Sequence, residues 1–163
     1  MAATQHAAPE HVELAGYERH FGLREPPFAI TANPRFLYVS SQNGNLRRFD
    51  KVTGETRSVR SAAPQGTQTR FNWNTPLQVD AIDSTTIYHG SQVLSRSRDG
   101  GRTWEIISPD LTTNNQARQS PPAFLVGGER DNNTTIISID TSPLEAGLIY
   151  ATTDDGNLQV SRN

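Results

Sequence analysis

The sequence has no cysteine and only one lysine, and each of these shortages excludes a class of chemistry. Without cysteine the chain forms no disulfide and offers no thiolate to a substrate or a metal. The single Lys51 lies in FDKVTGE, where no glycine-rich stretch leads up to it as it would in a phosphate-binding loop. We therefore expect neither a disulfide framework nor an ATP-driven activity.

Long apolar runs and an excess of one charge are also missing. No apolar run approaches the roughly 20 residues of a membrane-spanning helix. The net charge is −2, so no basic excess is available to attract nucleic acid or an anionic membrane. The first residues, MAATQHAAPEHVELAG, lack the basic start and continuous apolar segment of a secretory signal. As written, the protein is expected to stay in the cytoplasm without a nucleic-acid or membrane partner.

From Phe36 onward, the sequence has the pattern of an all-β protein. Short alternating runs are separated by dipeptides that favour tight hairpin turns, among them Asn43-Gly44 and Asp155-Gly156. The 163 residues include 12 glycines and 10 prolines, which fits a turn-rich domain with one core. The pattern predicts antiparallel sheets joined by short turns.

The clearest of these hairpins lies between residues 94 and 108. Its residues Ser97, Asp99, Gly101, Thr103 and Trp104 spell S-x-D-x-G-x-T-W. A short carboxylate at this place can accept hydrogen bonds from the N–H groups of the turn. The tryptophan that opens the outgoing strand offers a large apolar face to a neighbouring sheet. We interpret all five residues as structural.

Similar segments recur along the chain. Leu37-Tyr38, Ile87-Tyr88 and Ile149-Tyr150 each stand shortly before an alternating strand, at spacings of 50 and 62 positions. Such spacing is typical of propellers and arrays. We predict about two to three four-stranded blades, with blade pieces at about 36–62, 70–112 and 133–163. The first lacks its inner strand, which would fall in a proline-rich stretch, and the last lacks its outer strand.

Fewer than four blades cannot close a propeller, so the predicted fold is an incomplete β-propeller. Its unpaired strand edges are candidate sites of self-association. The predicted division of the chain is a leader over residues 1–35 and a partial propeller over residues 36–163.

The leader, which we expect to be poorly ordered or partly helical, carries a resemblance of its own. Residues 17–40, YERHFGLREPPFAITANPRFLYVS, are similar to the beginning of general secretion pathway ATPases of the AAA type. In those proteins a G-x-x-x-x-G-K-[ST] loop follows, and this chain has none. The resemblance therefore implies no nucleotide chemistry here.

The rest of the chain resembles another group. The S-x-D-x-G-x-T-W hairpin matches the Asp-box, and RFNWNTP (70–76), WEIISPDLT (104–112) and residues 142–163 match further runs of bacterial neuraminidase-repeat propellers. These proteins are of the sortilin-like or glycosyl hydrolase type, and the resemblance covers residues from about 40 to the end. It implies that the Asp-box is a structural turn away from the central substrate face. The chain departs from the group in its shortness, in the absence of an export signal, and in lacking the His-Asp-Pro turn before Ile87.

A sialidase-type site in such a propeller needs three arginines, a tyrosine with a glutamate, and an acid/base aspartate. We expect only Arg70 to approach a central funnel, and the other arginines (Arg47, Arg48, Arg96, Arg98) to be solvated. The candidate ligand-facing residues are Arg70, Phe71, Trp73 and Asn74. The alternative is that Phe71 and Trp73 pack between blades. The carboxylates Asp110, Asp154 and Asp155 stand in sequence contexts typical of turns.

No catalytic residue, metal site or cofactor is predicted. The histidines (His6, His11, His20, His89) lack metal-ligand spacing, and we expect them on the surface or in loops. The sequence favours a non-catalytic structural or interaction module whose partner is a protein or a carbohydrate. The alternative function is a glycoside hydrolase that needs further blades to be active.

Overall fold

The computed structural model describes residues 28–31, 35–62, 65–119 and 134–162. The prediction of a helical or disordered leader falls on residues that lie outside this part, apart from 28–31 and 35. Within the described ranges the regular structure is β-strand, with two short 3₁₀ turns at Gln42–Gly44 and Gln116–Arg118. None of the helical segments described there has the length and apolar character needed to cross a membrane.

The strands form three antiparallel sheets, which we call blades 1 to 3. Blade 1 has the order β1-β2-β3-β4. Its strands are β1 (Phe28–Thr31), β2 (Phe36–Ser41), β3 (Asn45–Asp50) and β4 (Thr56–Ser58). The Asn43-Gly44 turn that joins β2 to β3 has φ of 57° and 75°, the conformation for which this dipeptide is favoured.

Strand β1 corrects the prediction that blade 1 lacks its inner strand. Phe28–Thr31 pairs antiparallel with Leu37–Ser40. The prolines at positions 26, 27 and 34 flank this strand instead of interrupting it, so they remove no ladder hydrogen bond from it. Blade 1 therefore has four strands, and the first of them comes from the segment assigned to the leader.

Blades 2 and 3 follow the same plan. Blade 2 contains β5 (Leu77–Val79), β6 (Ile87–Gly90), β7 (Leu94–Ser97) and β8 (Glu105–Ile106). Blade 3 contains β9 (Ile136–Thr141), β10 (Ile149–Thr153) and β11 (Leu158–Ser161). In the described part of the chain, the outer edge of β11 has no partner strand.

The three tyrosines of the sequence repeat occupy the same place in each blade. Tyr38, Tyr88 and Tyr150 all lie on the second strand, and each is paired with a residue of the first strand and a residue of the third. Two positions further along, the second strand pairs with an equivalent leucine: Leu46, Leu94 and Leu158. Because directly paired residues share a sheet face, each blade presents a Tyr–Leu pair on one face.

Two apolar cores separate the three blades. One core contains Tyr38 and Leu46 of blade 1 together with Leu77 and Ile87 of blade 2. The other joins Tyr88 and Leu94 of blade 2 to apolar residues of blade 3: Ile136, Ile139, Ile149 and Ala151. The first strands of consecutive blades, β1, β5 and β9, lie beside one another. This is the face-to-face stacking of propeller blades, and it confirms the predicted all-β class.

Candidate functional site

The hairpin turn from Ser97 to Trp104 is built around the carboxylate of Asp99. Its Oδ1 accepts hydrogen bonds from the backbone N–H groups of Arg102 (3.0 Å) and Thr103 (2.9 Å), and its Oδ2 accepts one from the Thr103 hydroxyl (2.7 Å). Ser97 Oγ donates to Asp99 Oδ1 and accepts from Gly101 N–H at 2.8 Å. All the polar residues of the motif are thus used inside the turn.

The environment of Asp99 keeps its carboxylate ionised. Partial burial acts to raise its pKa, but hydrogen bonds from Thr103, Ser97 and Arg102 outweigh this effect and lower the pKa of Asp99 to about 2. A carboxylate with so low a pKa is a poor general acid near neutral pH, because almost none of it carries a proton. The geometry and the electrostatics both suit a structural turn.

The same turn fastens blade 2 to blade 1. Trp104 Nε1 donates to the carbonyl oxygen of Val59 at 2.9 Å, and Trp104 packs against the core between these blades. Arg48 Nη1 donates to the carbonyl oxygen of Gly100 at 2.9 Å. Gly101 has φ of 80°, and a Cβ added there would lie 2.8 Å from Cβ of Val59. The turn can approach blade 1 this closely because two glycines stand at its tip.

Arg48 differs from the prediction that it would be solvated. Its side chain is buried and its guanidinium carbon stands 4.6 Å from the centre of the Phe36 ring. An arginine can be buried where its N–H groups find acceptors and its plane lies on an aromatic ring. In the sequence, Arg47 and Arg48 are indistinguishable. Only the strand register decides that Arg48 shares a face with Tyr38.

Arg70 lies between blades 2 and 3 and contacts both. Its Nη2 is 2.7 Å from Asp110 Oδ2 and 3.3 Å from Thr112 Oγ1, and its Nε donates to the carbonyl oxygen of Thr134. The exposed fractions of the Arg70 and Asp110 side chains are 17% and 29%. Most of the N–H groups of this guanidinium therefore form hydrogen bonds that connect blades 2 and 3.

The other three candidate ligand-facing residues differ in their exposure to solvent. Phe71 is buried, with its ring centre 5.2 Å from that of His89, and a Cβ on Gly44 of blade 1 would overlap the Phe71 ring. Trp73 is partly exposed and Asn74 is exposed. Phe71 thus packs between blades, as the alternative interpretation holds, while Trp73 and Asn74 remain accessible to a ligand.

The structure corrects the expectation that His89 lies on the surface. It is completely buried on strand β6, between Phe71 and Trp104. Its Nδ1 is 2.8 Å from Ser61 Oγ, and Nε2 has no hydrogen-bond partner within the described residues. Burial, aided by the positive charge of Arg60, lowers the pKa of His89 to about 3. His89 is therefore a neutral core residue at neutral pH.

Two further carboxylates accept hydrogen bonds from the backbone of loops. Asp154 Oδ1 accepts from the N–H groups of Thr134 (2.7 Å) and Thr135 (3.0 Å), and Asp155 Oδ2 accepts from Thr113 N–H (2.6 Å). Asp154 Oδ2 lies 3.4 Å from Asn72 Nδ2, so this network reaches the loop that precedes blade 2. Among the residues described, no group of three His, Asp or Glu side chains is placed to hold a metal ion.

Sequence reasoning missed two features of this region: the burial of His89 and the connecting role of Val59 and Arg48. The sequence carries no signal for His89, because the burial of all four residues of its strand becomes visible only in the structure. A continuous run of buried residues marks a strand covered on both faces. No signal identified Val59, since its backbone oxygen makes the contact.

Comparison with known proteins supports the fold. No known protein-family model matches the chain. In structure, the chain is similar to a GH74 xyloglucanase from Xanthomonas campestris, with a TM-score of 0.54 and 16% sequence identity. The match covers 86% of this chain and 22% of the xyloglucanase, so the chain spans about a fifth of that protein. Together with the stacked sheets, this likeness confirms an incomplete β-propeller.

A second, local similarity concerns sequence. The chain is 54% identical over 28 residues to general secretion pathway protein A of Aeromonas hydrophila. These residues are 17% of this chain and 5% of that protein. The name agrees with the group that residues 17–40 resemble, and a match this short carries no statement about activity.

Proposed function

We propose that this chain is a section of a β-propeller of the neuraminidase-repeat type, with a structural or partner-binding role and no catalysis of its own. The observation that carries the proposal is that its charged side chains form hydrogen bonds within the protein. Arg70 is the arginine expected from the sequence near a central funnel, and Asp110 and Asp154 are two of the carboxylates considered with it. Each is engaged in hydrogen bonds between blades 2 and 3.

Glycoside hydrolysis requires two carboxyl groups with different duties, one of them protonated, flanking an open space for the sugar. Partial burial acts to raise the pKa values of Asp99 and Asp155, but the hydrogen bonds that these carboxylates accept outweigh this effect and favour the ionised form. Such an environment supports turns and does not supply the protonated acid. In the Asp-box interpretation, the residues Ser97, Asp99, Gly101, Thr103 and Trp104 complete this structural set.

The alternative function is a glycoside hydrolase that requires further blades. Two observations favour it: the fold neighbour is by its name a xyloglucanase, and Trp73 and Asn74, which are adjacent in the sequence, are both at least partly exposed. Aromatic rings with a polar neighbour suit contact with a sugar face. Under this alternative the pair would bind carbohydrate, and the catalytic carboxylates would come from other blades.

The test measures turnover and binding on the whole chain. We expect no turnover with a fluorogenic sialoside, a panel of aryl glycosides or xyloglucan oligosaccharides. Turnover that disappears in Asp110→Asn and persists in the matched variant Glu55→Gln would overturn the proposal. Titration of xyloglucan oligosaccharide, followed by tryptophan fluorescence in the wild type and in Trp73→Ala, decides whether the accessible pair binds carbohydrate.

A further inference from the structure

The segment that directly follows β4 of blade 1, residues 59–61, is held by two rings of blade 2, and we call it the linker segment. Trp104 Nε1 donates to the carbonyl oxygen of Val59 at 2.9 Å. His89 Nδ1 lies 2.8 Å from Ser61 Oγ. Val59 and Ser61 are both buried. The contact of blade 1 with blade 2 therefore depends at this place on one indole and one imidazole ring.

The second nitrogen of the His89 ring lies in surroundings that do not suit a proton. Nε2 is buried and has no hydrogen-bond partner in the described part of the chain. The ring packs between Phe71 and Trp104. Its cross-strand neighbours in the sheet, Leu77 and Ser95, carry no charge. A neutral imidazole has one N–H group, whereas an imidazolium has two and a full charge, so protonation would bury both a charge and an unpaired donor.

The charged groups of the neighbouring elements also favour the neutral ring. Arg60, the middle residue of the linker segment, acts on His89 with a positive charge that opposes protonation. The elements that carry Trp104 and Phe71 bring Asp99 and Arg70 into this region. Asp99 accepts hydrogen bonds inside its own turn, and Arg70 is paired with Asp110. Both carboxylates are thus engaged elsewhere, and neither balances a charge on His89.

Withdrawal of the linker segment would relieve a protonated His89 at a small structural cost. It breaks the contacts of Val59 and Ser61, whereas the strand that carries His89, β6, keeps its pairing with β5 and β7. Tyr88, the preceding residue on that strand, belongs to the core between blades 2 and 3 and points to the opposite face. Local openings of this kind need less free energy than unfolding of the whole chain.

From this geometry we propose that His89 is a pH-sensitive switch: its protonation releases the linker segment and opens the contact between blades 1 and 2, while blades 2 and 3 stay stacked. In the closed form the pKa of His89 is about 3. In the open form water reaches the ring, and the pKa returns to its ordinary value of about 6.5. Between these two values the open form binds more protons, so a fall in pH favours opening.

Hydrogen exchange of two N–H groups, followed by NMR at pH 7.0 and 5.5, tests the proposal. The indole N–H of Trp104 reports on the linker segment through its bond to Val59. The amide N–H of Ile136 donates to the carbonyl oxygen of Ser91 at 2.7 Å and reports on blades 2 and 3. Between the two pH values the protection of the Trp104 indole should fall about eightfold, because opening takes up one proton at a pKa of about 6.5.

Low concentrations of urea separate local opening from unfolding of the whole chain. A local opening exposes little surface, so exchange of the Trp104 indole should respond weakly to urea. Ile136 should be better protected, and its exchange should accelerate clearly as urea is added. Equal protection and equal urea dependence of the two protons would overturn the proposal, because the linker segment would then be released only by global unfolding.

Substitution of the histidine shows whether it is the group that titrates. His89→Gln should make the protection of the Trp104 indole independent of pH, and the matched variant His20→Gln should keep the change. His89→Phe, which keeps a ring at this place, is the second variant without a titrating group, and circular dichroism checks that all variants fold. A pH dependence that persists in both His89 variants, or its absence in the wild type, would refute the switch.

Discussion

At the residue scale, the structure is held by side chains whose partners belong to another blade. Trp104 reaches the Val59 carbonyl, Arg48 reaches that of Gly100, and Arg70 reaches Asp110 and Thr134. Each contact is a hydrogen bond in a half-buried place, where an unpaired partner costs more than the bond gains. Single substitutions at these positions therefore test how the blades are joined.

Gly101→Ala should destabilise the protein more than Gly54→Ala. Both glycines have a positive φ, of 80° and 73°, so each substitution costs about 1–2 kcal/mol in backbone strain. At Gly101 the new Cβ also meets Val59, whereas nothing lies within 4 Å of a Cβ on Gly54. Urea unfolding of the two variants measures the difference. Equal losses would show that the turn does not press against blade 1.

Trp104→Ala should lower the free energy of unfolding by about 3 kcal/mol, since it removes a large side chain packed on the first core. Trp104→Phe keeps much of the packing and loses the hydrogen bond to Val59, so about 1 kcal/mol is expected. Thermal and urea unfolding check both values. A melting temperature unchanged in Trp104→Ala would refute the packing role.

At the scale of elements, the three blades share one antiparallel arrangement of strands. The same Tyr–Leu pair recurs in the same register, and in blades 1 and 2 it is buried against residues of the following blade. Hydrogen bonds between neighbouring blades restrict their relative orientation, because a hydrogen bond is directional and apolar contact is not. Arg70 is the best example, as it contacts residues on both sides of the gap between blades 2 and 3.

The coupling between Arg70 and Asp110 can be measured by a double-mutant cycle. With both side chains mostly buried, we expect a coupling of about 1.5 kcal/mol in the free energy of unfolding from Arg70→Ala, Asp110→Ala and the double variant. The exposed pair Arg57–Glu55 is the control and should show no measurable coupling. Similar couplings for the two pairs would contradict the bridging role of Arg70.

At the scale of the whole molecule, stability should depend on pH through His89. An unfolded histidine takes up a proton near pH 6.5, but in the folded protein the pKa of His89 is about 3. Between these values the unfolded state binds more protons, so the free energy of unfolding falls as the pH is lowered, by at most about 1.4 kcal/mol per unit. The stabilising effect of ionised Asp99 is lost only below about pH 4, as its pKa is lowered from 3.8 to about 2.

Urea unfolding at pH 7.0, 6.0 and 5.5 therefore reports mainly on the histidine, because the carboxyl group of Glu105, whose pKa is lowered by Arg96, loses its stabilising effect only near pH 4.5 and below. His89→Gln should flatten the dependence over this range, whatever the variant does to the stability at pH 7.0. If the slope is the same in the variant and the wild type, another group is responsible and the burial of His89 does not control acid stability.

Local patterns in the sequence are enough to predict the fold class, the positions of the hairpins and the repeat. Strand alternation and turn chemistry are local properties. The conformations of the Asn43-Gly44 and Ser97–Trp104 turns follow from the residue types within them. The one inner strand it misplaced, Phe28–Thr31, is short and flanked by prolines, so that its pairing with β2 has no local signature.

Which sheet faces are covered, and which charged groups are engaged in hydrogen bonds, becomes visible in the packing of the blades. The repeat indicates that Tyr38, Tyr88 and Tyr150 occupy equivalent positions, but the burial of each depends on contacts with residues that are distant in sequence. For the same reason the sequence could not show that Arg70 is bound by Asp110, that His89 is in the core, or that Tyr150 is more exposed than Tyr38 and Tyr88. These are properties of contacts between blades, and no local pattern encodes them.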